Sequence, residues 1–450
     1  MPKVEIHLEI SIPSQDVGVN EVIALFEEVQ MQLGPALMAC YLEATQDRVL
    51  DEALGPKWGD APQDVAPWLC PSCHSRQGFK RRGSRPRVLR KTSLGPVPFE
   101  LRQVTCDHCD GTFSPFPDRF GLTPYQVSTA EFQAKAVRVA CQMSYARSVE
   151  QVHELGHVKV SATAVHRWAQ DKGEQVTFDA REANGHPVLL DGTRVRAGAK
   201  QRGCPLNLGL SIRRRSWVGG RPTLNVSPVC FGVDEPWSKM GQALVGSQPA
   251  RLVFDGDEAL TTWLGDAFPN VHKQRCVWHL VSQLYWPLWE DGLGKKQARA
   301  WMGRLGEIIY HPDGDVWRSK RELDTLIDQL QSEKLSSAAG YLKSAAPNAF
   351  TYRQHPDGMF FDDRTLEVQA ISSTSPLERQ IREINRRTDV GARWSVPGVR
   401  NLIGLDLVRR LDPDRWRSMW NLPQPNHIDI STVKLQVRVL VEPPPNVKTS

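Results

Sequence analysis

Residues 187–193 are Pro187-Val188-Leu189-Leu190-Asp191-Gly192-Thr193, an apolar run that ends in a carboxylate and a glycine. A short apolar run bounded by turn-forming residues is typical of a strand that is buried on both faces. The same pattern recurs in Leu252-Val253-Phe254-Asp255-Gly256. The sequence therefore predicts two buried strands, each of which delivers an aspartate to a sheet edge or a cleft.

A third acid, Glu378, follows Ser375-Pro376-Leu377, a combination that favours the first turn of a helix. We expect Asp191, Asp255 and Glu378 to meet in space and to hold divalent metal, Mg²⁺ or Mn²⁺, for phosphoryl transfer on DNA. Metal helps because a phosphodiester repels nucleophiles and its leaving oxygen must be stabilised, and Mg²⁺ prefers carboxylates. Each acid also has an ordinary explanation: a hairpin turn at Asp191, a strand-to-helix turn at Asp255 and a capping box from Ser375 to Glu378.

Asp257 competes with Asp255 for the second metal-binding position. The two residues are two apart, so on an extended strand they would share a face and alternation cannot separate them. The apolar run ends at Asp255, whereas Asp257 directly precedes the helical run that starts at Glu258. The pattern therefore favours Asp255 as the ligand and Asp257 as a helix N-cap.

The elements around these acids follow a definite order. Apolar patterns predict strands at 187–193, 206–212, 223–233, 252–255 and 271–277, and helices at 237–245 and 258–267. Three strands, then helix, strand, helix and strand, is the order of a ribonuclease-H-like mixed α/β sheet. The first and fourth strands are neighbours in that topology, which would place Asp191 beside Asp255. Residues 187–420 are predicted to form this domain, with a helical insertion at about 280–370 and a tail at 421–450.

Four of the nine cysteines form two Cys-x-x-Cys knuckles, separated by 32 residues. The first knuckle is Cys70 and Cys73, and the second is Cys106 and Cys109. Four thiolates are a donor set for tetrahedral zinc, so residues 70–120 are predicted to form a zinc-ribbon-like module with structural zinc. The run from Cys70 to His74 also matches a haem-attachment pattern, but the second knuckle and the lack of a secretory signal favour zinc.

Basic residues cluster in three places that we expect to contact the DNA backbone. Between the knuckles they are Lys80, Arg81, Arg82, Arg85, Arg87, Arg90 and Lys91. Residues 121–186 predict helices beginning at Ser128, Tyr145 and Ser161 in a helix-turn-helix-like arrangement, in which the groove-facing candidates are His166, Arg167 and Gln170. The helix that carries Glu378 adds Arg379, Arg382, Arg386 and Arg387. The alternatives are a solvated basic face and three packed helices without a DNA contact.

The charge of the chain is unevenly distributed along its 450 residues. The net charge is +5, yet residues 1–69 contain three basic and twelve acidic side chains. This acidic region is predicted to have a strand at 4–10, a helix at 19–54, and a packing or oligomerisation role. No apolar run approaches the length of a membrane span and the opening residues do not resemble a secretory signal. We therefore expect a cytoplasmic, nucleoid-associated protein that acts on DNA as a homodimer or higher oligomer, without a membrane partner.

The order of these motifs resembles the Mutator-like group of bacterial insertion-sequence transposases. The resemblance rests on the two Asp-Gly pairs, Arg275-Cys276-x-x-His279, Ser375-x-x-Glu378-Arg379 and the run Gly391-Ala392-Arg393-Trp394-Ser395. It covers roughly residues 187–410. It implies a ribonuclease-H-like domain with Asp191, Asp255 and Glu378 as metal ligands, and cleavage and joining of DNA at terminal inverted repeats. Cys276 and His279, predicted to lie on the strand that follows Asp255, have no assigned role.

Three alternatives remain open at this stage. A catalytically inactive or repurposed relative would only bind DNA, although the presence of all three acids argues against it. A nuclease of the same fold would cleave without strand transfer. A zinc-ribbon transcription regulator would leave the long region from Asp191 to Glu378 without an explanation.

Overall fold

A computed structural model describes residues 19–55, 66–123, 125–199, 202–311, 315–355, 359–390 and 393–422, and the structural statements below concern these residues. The strand predicted at 4–10 and all but the first two residues of the tail predicted at 421–450 lie outside them. The chain divides into two compact units: the first contains the described residues up to Val139, Tyr145–Val165 and those from Trp420, and the second contains Ala140–Ser144 and His166–Met419. None of the described helices is long and apolar enough to cross a lipid bilayer.

The first unit combines one long helix with a small antiparallel sheet. Its elements are α1 (Val19–Leu54), β1 (Phe79–Leu89), β2 (Val97–Cys106), β3 (Thr112–Phe113), α2 (Ala130–Ala140), α3 (Tyr145–Gly156) and the start of α4 (Ala162–Gly173). The sheet order is β1-β2-β3. Leu42 and Leu50 of α1 share one apolar core with Phe99 and Leu101 of β2.

Helix α1 also covers an edge of β2 that β3 is too short to pair. The Gln46 side chain, which is fully buried, accepts from the Arg102 N–H at 2.9 Å and donates to the Glu100 carbonyl at 3.0 Å. The Glu43 carboxylate accepts from the Glu100 N–H at 2.9 Å. These side chains therefore replace a missing strand, because a buried backbone group needs a partner.

The helix starts in this region mostly follow the sequence pattern. Helix α3 matches its prediction, and the Ala164 N–H donates to Ser161 Oγ at the start of α4, as expected for an N-cap. The prediction that Ser128 caps α2 was wrong. Thr129 Oγ1 accepts from the Phe132 N–H there, while Ser128 Oγ accepts from the Gln133 side chain.

The second unit is built on a mixed seven-stranded sheet. Its strands are β4 (Pro187–Val195), β5 (Cys204–Val218), β6 (Arg221–Val233), β7 (Arg251–Phe254), β8 (Lys273–Arg275), β9 (Met359–Asp362) and β10 (Glu367–Ala370). The order is β10-β9-β5-β4-β7-β8, and β6 pairs with β5. Strand β4 is antiparallel to β5 but parallel to β7, and β7 is parallel to β8. The first and fourth strands of this unit are therefore neighbours, as the sequence predicted.

Helices cover both faces of this sheet. The helices of the second unit are α5 (Trp237–Met240), α6 (Glu258–Ala267), α7 (Val277–Gln283), α8 (Tyr285–Glu290), α9 (Lys295–Ile309), α10 (Val316–Ser332), α11 (Ser336–Ala345), α12 (Thr351–Gln354), α13 (Ser375–Thr388), α14 (Val396–Leu411) and α15 (Pro413–Met419). Leu189 packs in a core with residues of α13 and α14. The adjacent Leu190 packs on the opposite face with residues of α5 and α6. This alternation explains the continuous apolar run of β4.

Helices α7 to α11 enclose a separate apolar core that includes Leu280, Trp301, Leu305, Leu326 and Phe350. The predicted insertion is therefore mainly helical, but it is not helical throughout. Residues 359–370 form the β9–β10 hairpin, and Arg214 of β5 pairs in parallel with Phe361 of β9. The insertion thus ends by extending the main sheet.

The strand predicted at 271–277 is shorter, and its end changes the position of two candidate site residues. Strand β8 stops at Arg275, Cys276 is the N-cap of α7, and His279 lies on that helix. The prediction that Cys276 and His279 lie on a strand was wrong. Buried Val277, Leu280 and Leu284 recur with helical spacing, and this periodicity was the signal that the strand prediction overlooked.

We predict that Gln46→Leu destabilises the first unit by about 2 kcal/mol, because it leaves two part-buried backbone groups of β2 without their partner. Chemical denaturation of the full chain should show a lower transition midpoint for this unit. Gln32→Leu, the same change at an exposed position of the same helix, is the control and should stay within about 0.5 kcal/mol of the unsubstituted chain. Equal midpoints for Gln46→Leu and the control would contradict the role of Gln46.

Candidate metal centres

Strand register brings Asp191 and Asp255 together. Leu190 of β4 pairs with Phe254 of β7 in the parallel ladder. Asp191 and Asp255 follow directly, so they emerge at the same end of two adjacent strands. Asp191 is 2% exposed, and its Oδ1 accepts from the Gly192 N–H at 2.7 Å. The hairpin-turn explanation of Asp191 fails, because β4 continues to Val195.

Each of the two aspartates is followed by a glycine, and a different structural constraint requires each glycine. A Cβ on Gly192 would lie 2.7 Å from Asn207 Oδ1, so the neighbouring strand approaches too closely for a side chain. Gly256 has a φ of +86°, and a Cβ there would coincide with the guanidinium of Arg275. Gly256 therefore allows the buried Arg275 to pass beside Asp255.

Asp257 takes the place that the sequence predicted for it. Its side chain accepts from the Leu260 N–H at 2.9 Å and caps α6. Asp255 Oδ1 in turn accepts from the Asp257 N–H at 3.0 Å. The N-cap prediction for Asp257 is confirmed, and this leaves Asp255 as the acid at the strand end.

Glu378 reaches the site from the first turns of α13. The capping box does not form: Thr374 is the N-cap, and the Ser375 hydroxyl bonds with the Ser373 hydroxyl. The Glu378 carboxylate turns instead to His279, whose Nε2 lies 3.1 Å from Glu378 Oε1. The explanation of Glu378 as part of a helix capping box is therefore wrong.

Asp191, His279 and Glu378 form a compact group of possible metal ligands. One ligand atom from each lies within 4.8 Å of the others, and His279 Nδ1 is 3.9 Å from Asp191 Oδ2. Asp255 is not part of this closest group, but its charge acts on Asp191. The three acids of the prediction are thus near one another, with an imidazole that the sequence did not assign to the site.

The ionisation of these groups reflects burial among like charges. Burial raises the pKa of Asp191 to about 7, and the charges of Asp255 and Glu378 add to the shift. Burial also raises the pKa of Asp255. The hydrogen bond with His279 lowers the pKa of Glu378. Burial opposes the charged form of His279, but hydrogen bonds with Cys276 and Glu378 raise its pKa to about 10.

The residues fit a hard divalent cation. Asp191 Oδ2 is buried and receives no hydrogen bond within the described part of the chain. A buried carboxylate oxygen without a donor is costly unless the carboxylate is protonated or a cation neutralises it. Carboxylates are also the ligands that Mg²⁺ and Mn²⁺ prefer. Asp191, with Asp255 and Glu378 beside it, supplies that donor set.

The four knuckle cysteines converge in the first unit. Their sulfur atoms all lie within 4.8 Å of one another, with Cys70 Sγ 3.5 Å from Cys109 Sγ and Cys73 Sγ 3.6 Å from Cys106 Sγ. A tetrahedron with Zn–S bonds of about 2.3 Å has edges of about 3.8 Å, so the spacing suits zinc. The cluster could therefore form a structural zinc site.

The basic residues in β1 and just after it divide into a set that is exposed and a set that contacts other residues. Arg82, Arg85 and Arg90 are exposed, and Lys80 is exposed within 3.1 Å of Asp107. Arg81 donates to Asp51 and to the Gly55 carbonyl, Arg87 donates to the Thr123 carbonyl, and Lys91 is half-buried. The exposed residues are the ones that present charge to solvent.

Two residues proposed for DNA contact have internal roles instead. The Gln170 amide bonds with the Asn401 side chain and the Gly398 carbonyl, whereas His166 and Arg167 on the same helix are exposed. Arg387 is 3% exposed, donates to the Ala140 carbonyl and lies over the Trp394 ring. Both are corrections to the predicted contact set. On α13 the exposed arginines are Arg379, Arg382 and Arg386.

A comparison with models of known protein families found a match. Residues 73–399 match the family model described as Transposase, Mutator family. The match covers more than half of the chain and includes all three acids and His279. The chain belongs to the Mutator family of transposases, which implies an activity on DNA. A search of curated proteins found no match.

We predict that Cys73→Ser abolishes stoichiometric zinc binding and lowers the stability of the first unit, because one of four thiolates is lost. Elemental analysis of the purified protein should find about one zinc per chain without the substitution. Cys40→Ser is the matched control, since Cys40 is an exposed cysteine of α1 outside the cluster. The assignment fails if the unsubstituted protein contains no zinc or if both variants retain it.

Proposed function

We propose that this protein is a metal-dependent DNA transposase that cleaves at the ends of an insertion sequence and joins them to target DNA. The observation that carries the proposal is the convergence of Asp191 and Asp255, on adjacent parallel strands, with Glu378 from a distant helix. The family supports an activity on DNA, and the acids supply its chemistry.

We further propose that the second unit has a ribonuclease-H-like catalytic domain. The support is the strand order β6-β5-β4-β7-β8, with three antiparallel strands followed by two parallel ones. Counted from β4 along the chain, this is the order 3-2-1-4-5. The helical insertion lies between the second and third acids. Residues 1–69 would mediate oligomerisation, residues 70–120 would form a zinc-ribbon module, and residues 121–186 would bind DNA.

Asp191, Asp255 and Glu378 would hold Mg²⁺ or Mn²⁺. When bound, the metal would activate a water or hydroxyl nucleophile and stabilise the leaving oxygen of the phosphodiester. The Asp191 carboxylate is buried and fixed by the Gly192 N–H, so it contributes a rigid ligand. The Glu378 side chain is 30% exposed, and this accessibility suits a ligand that faces an incoming DNA backbone.

The surrounding charge supports DNA as the substrate. Exposed Arg379 and Arg382 lie on the same helix as Glu378, and Arg386 follows one turn later. Guanidinium groups at these positions would bind phosphates near the reacting bond. Arg82 and Arg85 on β1 and Arg90 just after it, with His166 and Arg167 on α4, would bind the terminal inverted repeats and target DNA.

The deciding experiment uses the full chain with a labelled element end and a supercoiled target plasmid. We expect Mg²⁺-dependent exposure of a 3′-hydroxyl, followed by its covalent joining to the plasmid. Cleavage without joining would identify a nuclease, and DNA binding without cleavage would identify a non-catalytic relative. Either result would refute the proposed transposase reaction.

We predict that Glu378→Gln lowers end cleavage by more than about 100-fold, because loss of even an outer-shell partner of a metal site costs about 10- to 100-fold. The fold and DNA binding should persist, since Gln retains the size of Glu. Glu383→Gln on the exposed side of the same helix is the control and should remain active. A fully active Glu378→Gln protein in Mg²⁺ would exclude the ligand role.

We predict opposite outcomes for the two neighbouring aspartates. Asp255→Asn should stop cleavage, because it removes one negative charge from the metal site. Asp257→Asn should be nearly silent, since Asn caps a helix about as well as Asp. Single-turnover cleavage assays compare the two variants. An inactive Asp257→Asn protein beside an active Asp255→Asn protein would show that the second ligand was misassigned.

A further inference from the structure

His279 lies between two of the proposed metal ligands. Its Nε2 is 3.1 Å from Glu378 Oε1 and its Nδ1 is 3.9 Å from Asp191 Oδ2. Nδ1 is also 3.2 Å from Thr374 Oγ1. The ring is therefore fixed at one nitrogen by a buried hydroxyl, while the other nitrogen is directed at Glu378.

Thr374 and Cys276 anchor this ring between two helix starts. The Thr374 N–H and hydroxyl approach Cys276 Sγ at 3.3 and 3.4 Å. Cys276 is the N-cap of α7, which carries His279, and Thr374 is the N-cap of α13, which carries Glu378. A backbone bond from the Val277 N–H to the Ser372 carbonyl at 3.0 Å reinforces the join. The two helices thus begin from one shared set of hydrogen bonds.

The packing of α7 does not explain this arrangement. Val277 and Leu280 bury the apolar side of the helix in the core of α7 to α11, and His279 is not part of that core. The His279 side chain is 9% exposed, and its polar contacts are with Glu378, Asp191, Thr374 and Cys276. A histidine that served only as buried filler would not need two carboxylates as neighbours.

We propose that His279 is a positioning residue that holds the Glu378 carboxylate toward Asp191 so that both can bind one divalent cation. Thr374 and Cys276 fix the ring for this task. A carboxylate that is already oriented loses less conformational freedom when metal binds, which raises the affinity. This inference rests on the proposed function, because it assumes that Asp191 and Glu378 are metal ligands.

Two substitutions of His279 separate its two hydrogen-bonding nitrogens. His279→Gln places an amide near the position of Nε2 and can still donate to Glu378. His279→Asn places its amide near the position of Nδ1, where it can meet Thr374 but not Glu378. Positioning of Glu378 therefore predicts that Gln is the better replacement, whereas a packing role predicts no such preference.

The test is calorimetric titration of Mn²⁺ into the zinc-loaded full chain, so that the cysteine cluster does not contribute. We expect His279→Asn to weaken Mn²⁺ binding by about 10- to 100-fold, as is typical for loss of a group that orients a metal ligand. His279→Gln should weaken it much less. His153→Asn, at an exposed position of α3, is the control and should bind Mn²⁺ as the unsubstituted chain does.

Thermal unfolding in EDTA accompanies each titration to identify a folding defect. If His279→Asn fails to fold, Thr374→Val and Thr374→Ser replace it, because Ser keeps the hydroxyl that fixes the ring and Val removes it. Thr374→Val should then weaken Mn²⁺ binding relative to Thr374→Ser. The positioning role would be overturned if His279→Asn and His279→Gln bound Mn²⁺ equally well. Where the Thr374 variants are used instead, equal Mn²⁺ affinities of Thr374→Val and Thr374→Ser would overturn it.

A further pair of variants distinguishes failure of the inference from failure of the proposed function. Asp191→Asn and Glu378→Gln should each abolish the titratable Mn²⁺ site. If both retain it, the proposed metal site is wrong. If both lose it while His279→Asn binds Mn²⁺ normally, the metal site stands and only the role of His279 is refuted.

Discussion

The pairing of β4 with β7 imposes the constraint on which the second unit depends, because it places two aspartates side by side in a buried position. The apolar side chains of these strands fix the register: Leu189 and Val253 face one core, and Leu190 and Phe254 face the other. A slip of one residue would exchange the faces of every side chain, so the register is strongly specified. The two carboxylates are therefore held side by side, and burial raises the pKa of both.

The groups that oppose this negative charge come from one short segment, residues 275–279, which joins the end of β8 to α7. Arg275 passes over Gly256 and lowers the pKa of Asp255 in opposition to burial, while His279 does the same for Asp191. The insertion leaves from this segment and returns to it, since Val277 pairs with Ser372 and Cys276 with Thr374. Because the two ends of the insertion are joined there, the position of Glu378 does not depend on the length of the helices between them.

The sequence predicted those features that local patterns determine. The apolar runs ending at Asp191 and Asp255 are local signals, as is the N-cap at Asp257, and all three elements formed as expected. The role of His279 depends on a contact with Thr374, 95 residues away, and no local pattern contains that information. The same limit explains Arg387, whose charge favoured a surface position although its partners, Ala140 and Trp394, are brought to it only by folding.

In the first unit the cysteine cluster lies at one end of the hairpin formed by β1 and β2, and β1 carries exposed basic side chains. The knuckles lie before β1 and at the end of β2, so a bound zinc would fasten the hairpin at the end opposite its turn. Strand β1 pairs only with β2, which leaves its outer edge open within the described residues. Charged side chains on an open edge prevent association with other strands. Either sign of charge would prevent such association. Arg82 and Arg85, which are exposed on β1, are both positive, and this shared sign is what favours contact with DNA.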